Sequence, residues 1–593
     1  MKKIFGLGAV LVLASVMVCL TCFAQDEDLK KQLDLADDIT KETIVGPGSV
    51  QVTTGKDILM SFGSTVRIIP TSETDWDFGV SDSDNVNAAG KLFYNVMPKN
   101  ILREHPNESG WVEDGYIRTE TKIYFNAMPK DRVWSFYGAL EFDRPLETVS
   151  IDDRGGKDRN SSNFGLERLQ ITYALPFNMR FHAGWDIWHV DVMEAAGMVY
   201  GDDNPGFWLT GEKDKLSFNV GYFKLMENNW QVNPALMGDD RNDDRDLYAG
   251  YLTYQMNDQN KFQFFGLYDY IRGIPTTDFT GYVINQIPDN KEVAGLTTDL
   301  KAFYRTLGLG ITGEEPETDS YHLGGYWIGN FGNIEMFFEG VYQFGSADDT
   351  GLGSAVGPDR QTPLEEDYDI NAYALAADIS YQFKGILTDF PLKPHLGFMY
   401  TSGDDDPYDD DLEGYNGVDN AQRFASRWGG ENTIIGDTNL MLGTALYGYI
   451  PELYGNGTPV FTGGLQNMSG SGNGRGDNPG LSMVSAGITV APKRFLIYKT
   501  NINNFWWNED IYVTNIVDPT AAAGRGPQKV DSGYVGTEWD NELTLATSKH
   551  SFIRGEVSFF FPGEVIDDVT EAMTGEVCDD VAMRFAAEFI LNF

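Results

Sequence analysis

The sequence predicts an all-β chain, a transmembrane antiparallel β-barrel of about eighteen strands. Three observations carry that reading. Apolar and polar residues alternate with a period of two through many segments, the mark of a strand with one apolar and one polar face. The segments come in pairs across short turns, while the connections between pairs are long and polar. No apolar run beyond the N-terminus approaches the roughly 20 residues that a helical span needs.

The N-terminus reads as a targeting segment. Met1-Lys2-Lys3 precedes an apolar run, Ile4 to Ala24, and then Gln25-Asp26-Glu27-Asp28. A basic tip, an apolar stretch and a small residue before an acidic segment predict a signal peptide over 1–24. Residues 25–56, with a charged stretch Asp26–Lys41 and the break Pro47-Gly48, read as a periplasmic extension, and 57–593 as the barrel. Cys19 and Cys22 leave with the signal. The mature chain then keeps the lone thiol Cys578 and no intramolecular disulfide.

The strands follow in order. The first is Leu59–Ile69. Then come the pairs Gly115–Met128 and Val133–Arg144, Leu166–Leu175 and Met179–Val190, Phe207–Gly211 and Leu216–Leu225, and Asp246–Met256 and Phe262–Gly273. They continue with Ser320–Asn330 and Ile334–Phe344, Tyr368–Phe383 and Leu392–Thr401, Leu481–Val490 and Phe495–Phe505, and Thr537–Ala546 and Phe552–Phe561. The closing strand ends at Phe593. Its Met583, Phe585, Ala587, Phe589 and Leu591 share one face, and Arg584, Glu588 and Asn592 the other. Sixteen and twenty strands stay open, because 402–480 has room for a further pair near Leu440–Tyr449 and Val460–Leu465. Trp185, Trp188, Trp208, Trp327, Trp506, Trp507 and Trp539 fall in or near strands, where interfacial girdles form.

Composition excludes other classes. The 593 residues carry 44 Lys and Arg against 88 Asp and Glu, a net charge of −44, which excludes a nucleic-acid binder. Three Cys exclude a disulfide scaffold, and 13% aromatic residues argue against disorder. No catalytic residue is expected. The six His form no HExxH, no haem-attachment site is present, and the face shared by His182 and Asp186 reads as polar lumen contact.

The inner wall is the informative surface. A charge on the lipid face costs several kcal/mol near the midplane, so the polar parity must point inward. That places Arg118, Lys122, Arg168, Arg180, Lys499, Arg554 and Arg584 inside, with Glu120, Glu141, Asp186, Glu335, Glu339, Asp378, Glu538, Asp540, Glu542, Glu556 and Glu588. Acids outnumber bases, which predicts paired charges along a hydrated lumen. In the loop after Thr401, Asp404, Asp405, Asp406, Asp409, Asp410 and Asp411 offer hard oxygen ligands of the kind Ca2+ takes; no other cofactor is expected.

The residues Gly536-Thr537-Glu538-Trp539-Asp540-Asn541-Glu542-Leu543, then Phe559-Phe560-Phe561-Pro562-Gly563-Glu564, resemble the alginate-export family of outer-membrane proteins and related porins. Arg584–Phe593 and the pair Leu166–Asp186 are similar too, and the terminal Phe resembles the closing signature of bacterial outer-membrane barrels. The resemblance implies an eighteen-stranded channel in a Gram-negative outer membrane. Its partners would be a hydrophilic solute, lipopolysaccharide around the rim, and the barrel-assembly machinery acting on Phe593. Family exporters have a strongly basic conduit, whereas the wall inferred here is mixed and slightly acidic, so the architecture carries over and the alginate substrate does not. A passive channel for small hydrophilic solutes or oligosaccharide is the expected function. The alternatives are a sleeve for a partner such as a cytochrome, or a surface receptor using the loop at 402–480.

Overall fold

The structure, a computed structural model, describes residues 50–53, 57–75, 78–79, 114–145, 165–192, 198–226, 245–272, 317–348, 365, 367–383, 390–406, 409–420, 479–513 and 528–593. The expected signal peptide and most of the expected N-terminal extension lie outside them, as does the 440–465 segment.

Eighteen strands form the barrel: β1 (Ile58–Thr74), β2 (Asp114–Pro129), β3 (Trp134–Pro145), β4 (Gly165–Leu175), β5 (Met179–His189), β6 (Tyr200–Lys213), β7 (Leu216–Met226), β8 (Arg245–Asn257) and β9 (Asn260–Arg272). They continue as β10 (Glu317–Phe331), β11 (Ile334–Asp348), β12 (Tyr368–Tyr381), β13 (Leu392–Thr401), β14 (Leu481–Lys493), β15 (Leu496–Trp507), β16 (Tyr534–Ser548), β17 (Ser551–Pro562) and β18 (Ala582–Asn592). Each pairs antiparallel with its sequence neighbours, and β1 also pairs with β18, from Thr65 opposite Asn592 to Thr74 opposite Met583. The ring is therefore closed, with no edge left to hydrogen-bond to lipid. Phe593 completes the seam: its N–H donates to the Ser64 carbonyl (3.0 Å), and its carbonyl accepts from the Ser64 N–H (2.7 Å).

Strand ends depart from the sequence reading by a few residues, with one larger difference. β6 begins at Tyr200 rather than Phe207, because Gly201-Asp202-Asp203-Asn204-Pro205 is turn-like in composition yet pairs with β5 throughout. The end of the expected extension, Val50–Thr53, is likewise sheet, paired with Leu59–Phe62 of β1. The alternation of faces holds around the ring. On β18 Phe589, Leu591 and Phe593 are exposed, whereas Arg584, Ala586, Glu588, Ile590 and Asn592 are buried. Exposed Phe264, Leu323, Phe338 and Leu396 mark the outer face elsewhere.

Tight turns close one end of the barrel. Phe177 and Asn178 both take positive φ (66° and 56°), the twist that a two-residue hairpin needs. Within the sheet, Gly184 has φ 141°, and a Cβ there would lie 1.9 Å from the Leu169 carbonyl oxygen, so this crossing of β4 and β5 needs a glycine.

At the opposite end, two connections fold inward. Val190–Val192 and Met198–Val199, between β5 and β6, are buried, apart from a partly exposed Val192. After β13 the chain turns back inside: Asp411–Leu412 runs parallel to Asp369–Ile370 at the start of β12, and Asp419–Asn420 parallel to Tyr200–Gly201. Leu412, Tyr415 and Val418 are fully buried on the way. The 402–480 connection thus begins as a strap within the barrel rather than as an outer loop. Between β17 and β18, α1 (Glu564–Thr574) turns Val565, Ile566, Val569 and Ala572 inward and ends at Gly575 in the left-handed region. The sequence reading took this stretch for loop.

Candidate functional site: the charged inner wall

The inner wall divides into two sectors. Over β6–β14 the inward side chains are mostly apolar: Phe223, Leu247, Phe265, Leu267, Phe337, Val341, Ala372, Ala374 and Met399 form one cluster with Val190, Met198, Tyr200, Tyr415 and Val418. The folded-in segments therefore bury this sector, which explains why apolar residues occupy strand faces that point away from lipid.

Over β15–β18 and β1–β5 the wall is charged. Arg67 on β1 bridges Glu120 on β2 and Glu588 on β18. Glu588 also lies 3.3 Å from Arg554 on β17, and Arg554 lies 3.8 and 3.9 Å from Glu542 and Glu556. In the other direction Lys122 meets Glu141 and Glu167, each at 2.9 Å, and Arg168 lies 3.8 Å from Asp186. Lys499 approaches Glu542 at 3.9 Å. Buried charges survive only when paired in this way, since an uncompensated one costs several kcal/mol. Above Glu542 on the same strand, Glu538 and Asp540 are both 1% exposed, and Asp540 accepts from Asn503 Nδ2.

Of the residues expected inside, Glu120, Lys122, Glu141, Arg168, Asp186, Lys499, Glu538, Asp540, Glu542, Arg554, Glu556, Arg584 and Glu588 all lie on this charged face. Arg118 holds the register position opposite Ile69 and Pro145. Four others stand apart. Arg180 is exposed beside the β4–β5 turn, and Glu335 is paired with Lys393 near the β10–β11 turn. Asp378 accepts from His395, whose Nε2 meets Asn501 Oδ1 at 2.5 Å. Glu339 lies in the apolar sector, fully buried, and accepts the Val192 N–H at 3.1 Å.

Two further groups that the sequence singles out are not joined into sites. His182 is hydrogen-bonded to Thr172 and Thr210 and stacks on Trp208, while Asp186 accepts from Gln170, so the two make no pair. In the acidic loop Asp404 accepts from the Asp406 N–H and Asp409 from the Asp411 N–H, each capping its own turn. Among the described residues no group of three or more His, Cys, Asp or Glu is placed to hold a metal ion. Partial burial and the neighbouring acids push the carboxyls of Asp409 and Glu413 above the usual range.

Two residues of the charged face escaped the sequence reading, as did the buried Arg245–Asp269 ion pair and Asp191 in the apolar sector. Arg67 sits on a strand whose inner face, Thr65-Arg67-Ile69-Thr71, reads as mixed. Glu167 lies beside Arg168, where strict alternation would send it outward. A register shift places Ala139 opposite Arg168 but Leu140 opposite Leu166, leaving Glu167 as the extra residue of a bulge, free to reach Lys122.

No protein-family model matches the chain, and no curated protein sequence matches it. The alginate-export likeness therefore stays with the residues quoted above. Among solved structures, the chain is similar to OccK5 (OpdH) of Pseudomonas aeruginosa, at 10% identity over 90% of this chain and 98% of that one, with a TM-score of 0.39. A BenF-like porin from Pseudomonas fluorescens Pf-5 gives 9% identity, 90% and 99% coverage and a TM-score of 0.40. Wzi of Escherichia coli, an outer-membrane protein involved in group 1 capsule assembly and described as a carbohydrate-binding β-barrel, gives 9%, 96% and 90%, and 0.40.

Proposed function

We propose that the chain is an outer-membrane channel through which small hydrophilic solutes pass along the charged inner wall. The observation that carries this reading is the ladder of ion pairs from Glu542 and Arg554 through Glu588, Arg67 and Glu120 to Lys122 and Glu167, on the inner face of a closed barrel with an apolar outer face. A ring of about eighteen strands is wide enough to enclose an aqueous path. The partly open Glu141, Glu167, Asp186 and Lys499 are the wall groups a polar solute meets as it exchanges water for contacts, and the more deeply buried pairs brace the wall behind them. Because acids exceed bases on this wall, the path favours cations over anions.

Planar-bilayer recording tests both statements. Discrete conductance steps are expected, with a reversal potential of cation-selective sign in a KCl gradient, and with selectivity fading as salt screens the wall. Purified barrel that gives no steps would sink the channel reading. Steps of anion-selective sign would overturn the path along this wall.

A further inference from the structure

The lipid-facing wall changes character on β15 and β16. Over β7–β11 its exposed outward side chains include Val220, Leu252, Phe264, Leu323 and Phe338. On β15 the outward parity carries Thr500 and Asn504, and on β16 it carries Thr537 and Asn541. The residues between them, Asn501 and Asn503 on β15 and Glu538 and Asp540 on β16, point inward and are buried.

The four polar residues form two cross-strand pairs at membrane depth. Register sets Thr500 opposite Asn541 and Asn504 opposite Thr537, with Ile502 and Trp539 between the pairs. Tyr498 and Trp506 share the outward parity of β15 on either side of them. A tilted strand crosses the hydrocarbon in about 9–11 residues, so positions between these two aromatic residues face acyl chains.

Acyl chains offer no hydrogen bond, so polar atoms that face them need protein partners. The oxygens have partners within the sheet. Tyr498 Oη donates to Asn541 Oδ1 (2.7 Å), Trp539 Nε1 to Thr500 Oγ1 (3.0 Å) and Thr537 Oγ1 to Asn504 Oδ1 (2.7 Å). The donors are left over. Asn541 Nδ2 reaches only the Val557 carbonyl, at 3.5 Å, and neither Asn504 Nδ2 nor the Thr500 hydroxyl proton meets an acceptor among the described residues.

We propose that β15 and β16 are the contact surface of a homodimer, in which this amide and hydroxyl patch hydrogen-bonds to the same patch of a second copy. The patch is neutral, so it calls for no counter-charge on the partner. Each Asn carries donors beside an oxygen with a second lone pair, and each Thr a hydroxyl that does both, so the surface is complementary to itself. Two copies inserted the same way up meet about a two-fold axis along the membrane normal, which turns the patch of one onto the patch of the other. Small outward residues flank it, Ala486 on β14 and Gly555 on β17, and let a second wall approach closely. Ile502 and Trp539, 46% and 40% exposed, supply apolar contact at its centre. The dimer does not depend on whether the barrel conducts.

Cysteine cross-linking of the purified whole chain in phosphatidylcholine vesicles tests this, with the unsubstituted chain as the background for its own cysteines. Ile502→Cys, at the centre of the patch, should give a disulfide-linked dimer on oxidation. Leu323→Cys, 55% exposed on β10, should give little. Adding Asn504→Leu and Asn541→Leu to Ile502→Cys should lower the dimer yield by about tenfold, since several interhelical-type polar contacts are lost at once. Heat-modifiable gel mobility reports whether that variant still folds, and leucine suits a lipid-facing site. Thr500→Val, close to isosteric, should lower the yield less and in the same direction. Equal cross-linking at Ile502→Cys and Leu323→Cys, no cross-linking at Ile502→Cys, or an undiminished yield once both amides are gone overturns the dimer through this patch.

Discussion

Arg67 shows how one side chain can close a wall. It holds Glu120 and Glu588, which lie on the second and last strands, and so bridges across the seam where the ring is completed. Removing it strands two buried carboxylates, each left with one more distant cation: Lys122 at 3.6 Å and Arg554 at 3.3 Å. Arg67→Ala is expected to lower barrel stability by about 3 kcal/mol, the lower end for breaking a buried pair. Arg67→Lys, without the fork that meets both partners, should recover only part of it. Denaturant unfolding of reconstituted barrel measures both variants; a shift within error for Arg67→Ala would show that the seam does not depend on this pair. At this scale the sequence was informative where alternation is strict, as on β17 and β18, whose inward Arg554, Glu556, Arg584 and Glu588 follow from parity. It was silent on Arg67, whose neighbours on that face are ambiguous, and misleading on Glu167, because a bulge moves parity by one and no local residue announces it.

Elements that cross the membrane and elements that cap it obey different rules. The strands were legible because lipid demands an apolar outer parity and closed hydrogen bonding, and both constraints write a period of two into the chain. The inward segments face no lipid and carry no such period. The only signal for the strap is the spacing of Leu412, Tyr415 and Val418 in an otherwise acidic and glycine-containing loop. Helix α1 is similar: Val565, Ile566, Val569 and Ala572 fall at helical spacing, with Glu564 and Asp567 in the first turn where the helix dipole favours acids. Its apolar face packs beside β16, β17 and the short hairpin Ile511–Val513 with Gln528–Val530. Val569→Asp puts a charge at a fully buried position and should release the helix without unfolding the strands. Limited digestion with a Glu-specific protease should then cut at Glu564, Glu571 or Glu576 in the variant and spare the wild type. Equal resistance would mean that α1 stays docked without this contact.

For the whole molecule, closure is the decisive event. Every strand but the first and last pairs with neighbours supplied by a nearby turn or loop, whereas β1 and β18 must meet from opposite ends of the chain. Phe593 contributes two main-chain hydrogen bonds to that meeting, and its ring is half exposed on the outer face. We expect deletion of Phe593 to lower the yield of membrane-inserted barrel severalfold, both through the lost seam contacts and through any recognition of the terminal aromatic during assembly. Heat-modifiable gel mobility of membrane fractions reports the folded share, and unchanged yield would remove both roles from Phe593.

The sequence by itself determined the class, a strand number between sixteen and twenty, the side of the wall on which charges sit, and the exclusion of nucleic acid, because each follows from a local pattern or a sum over residues. It did not determine that the inner wall splits into an apolar and a charged sector, that a strap occupies the first, or that Arg67 spans the seam in the second. Those depend on contacts between residues far apart in sequence, such as Val192 with Glu339 and Arg67 with Glu588. The lipid acts on every strand alike and so leaves its mark at each step of the chain. The lumen is shaped by which strands happen to face one another once the ring has closed, and only the closed ring decides that.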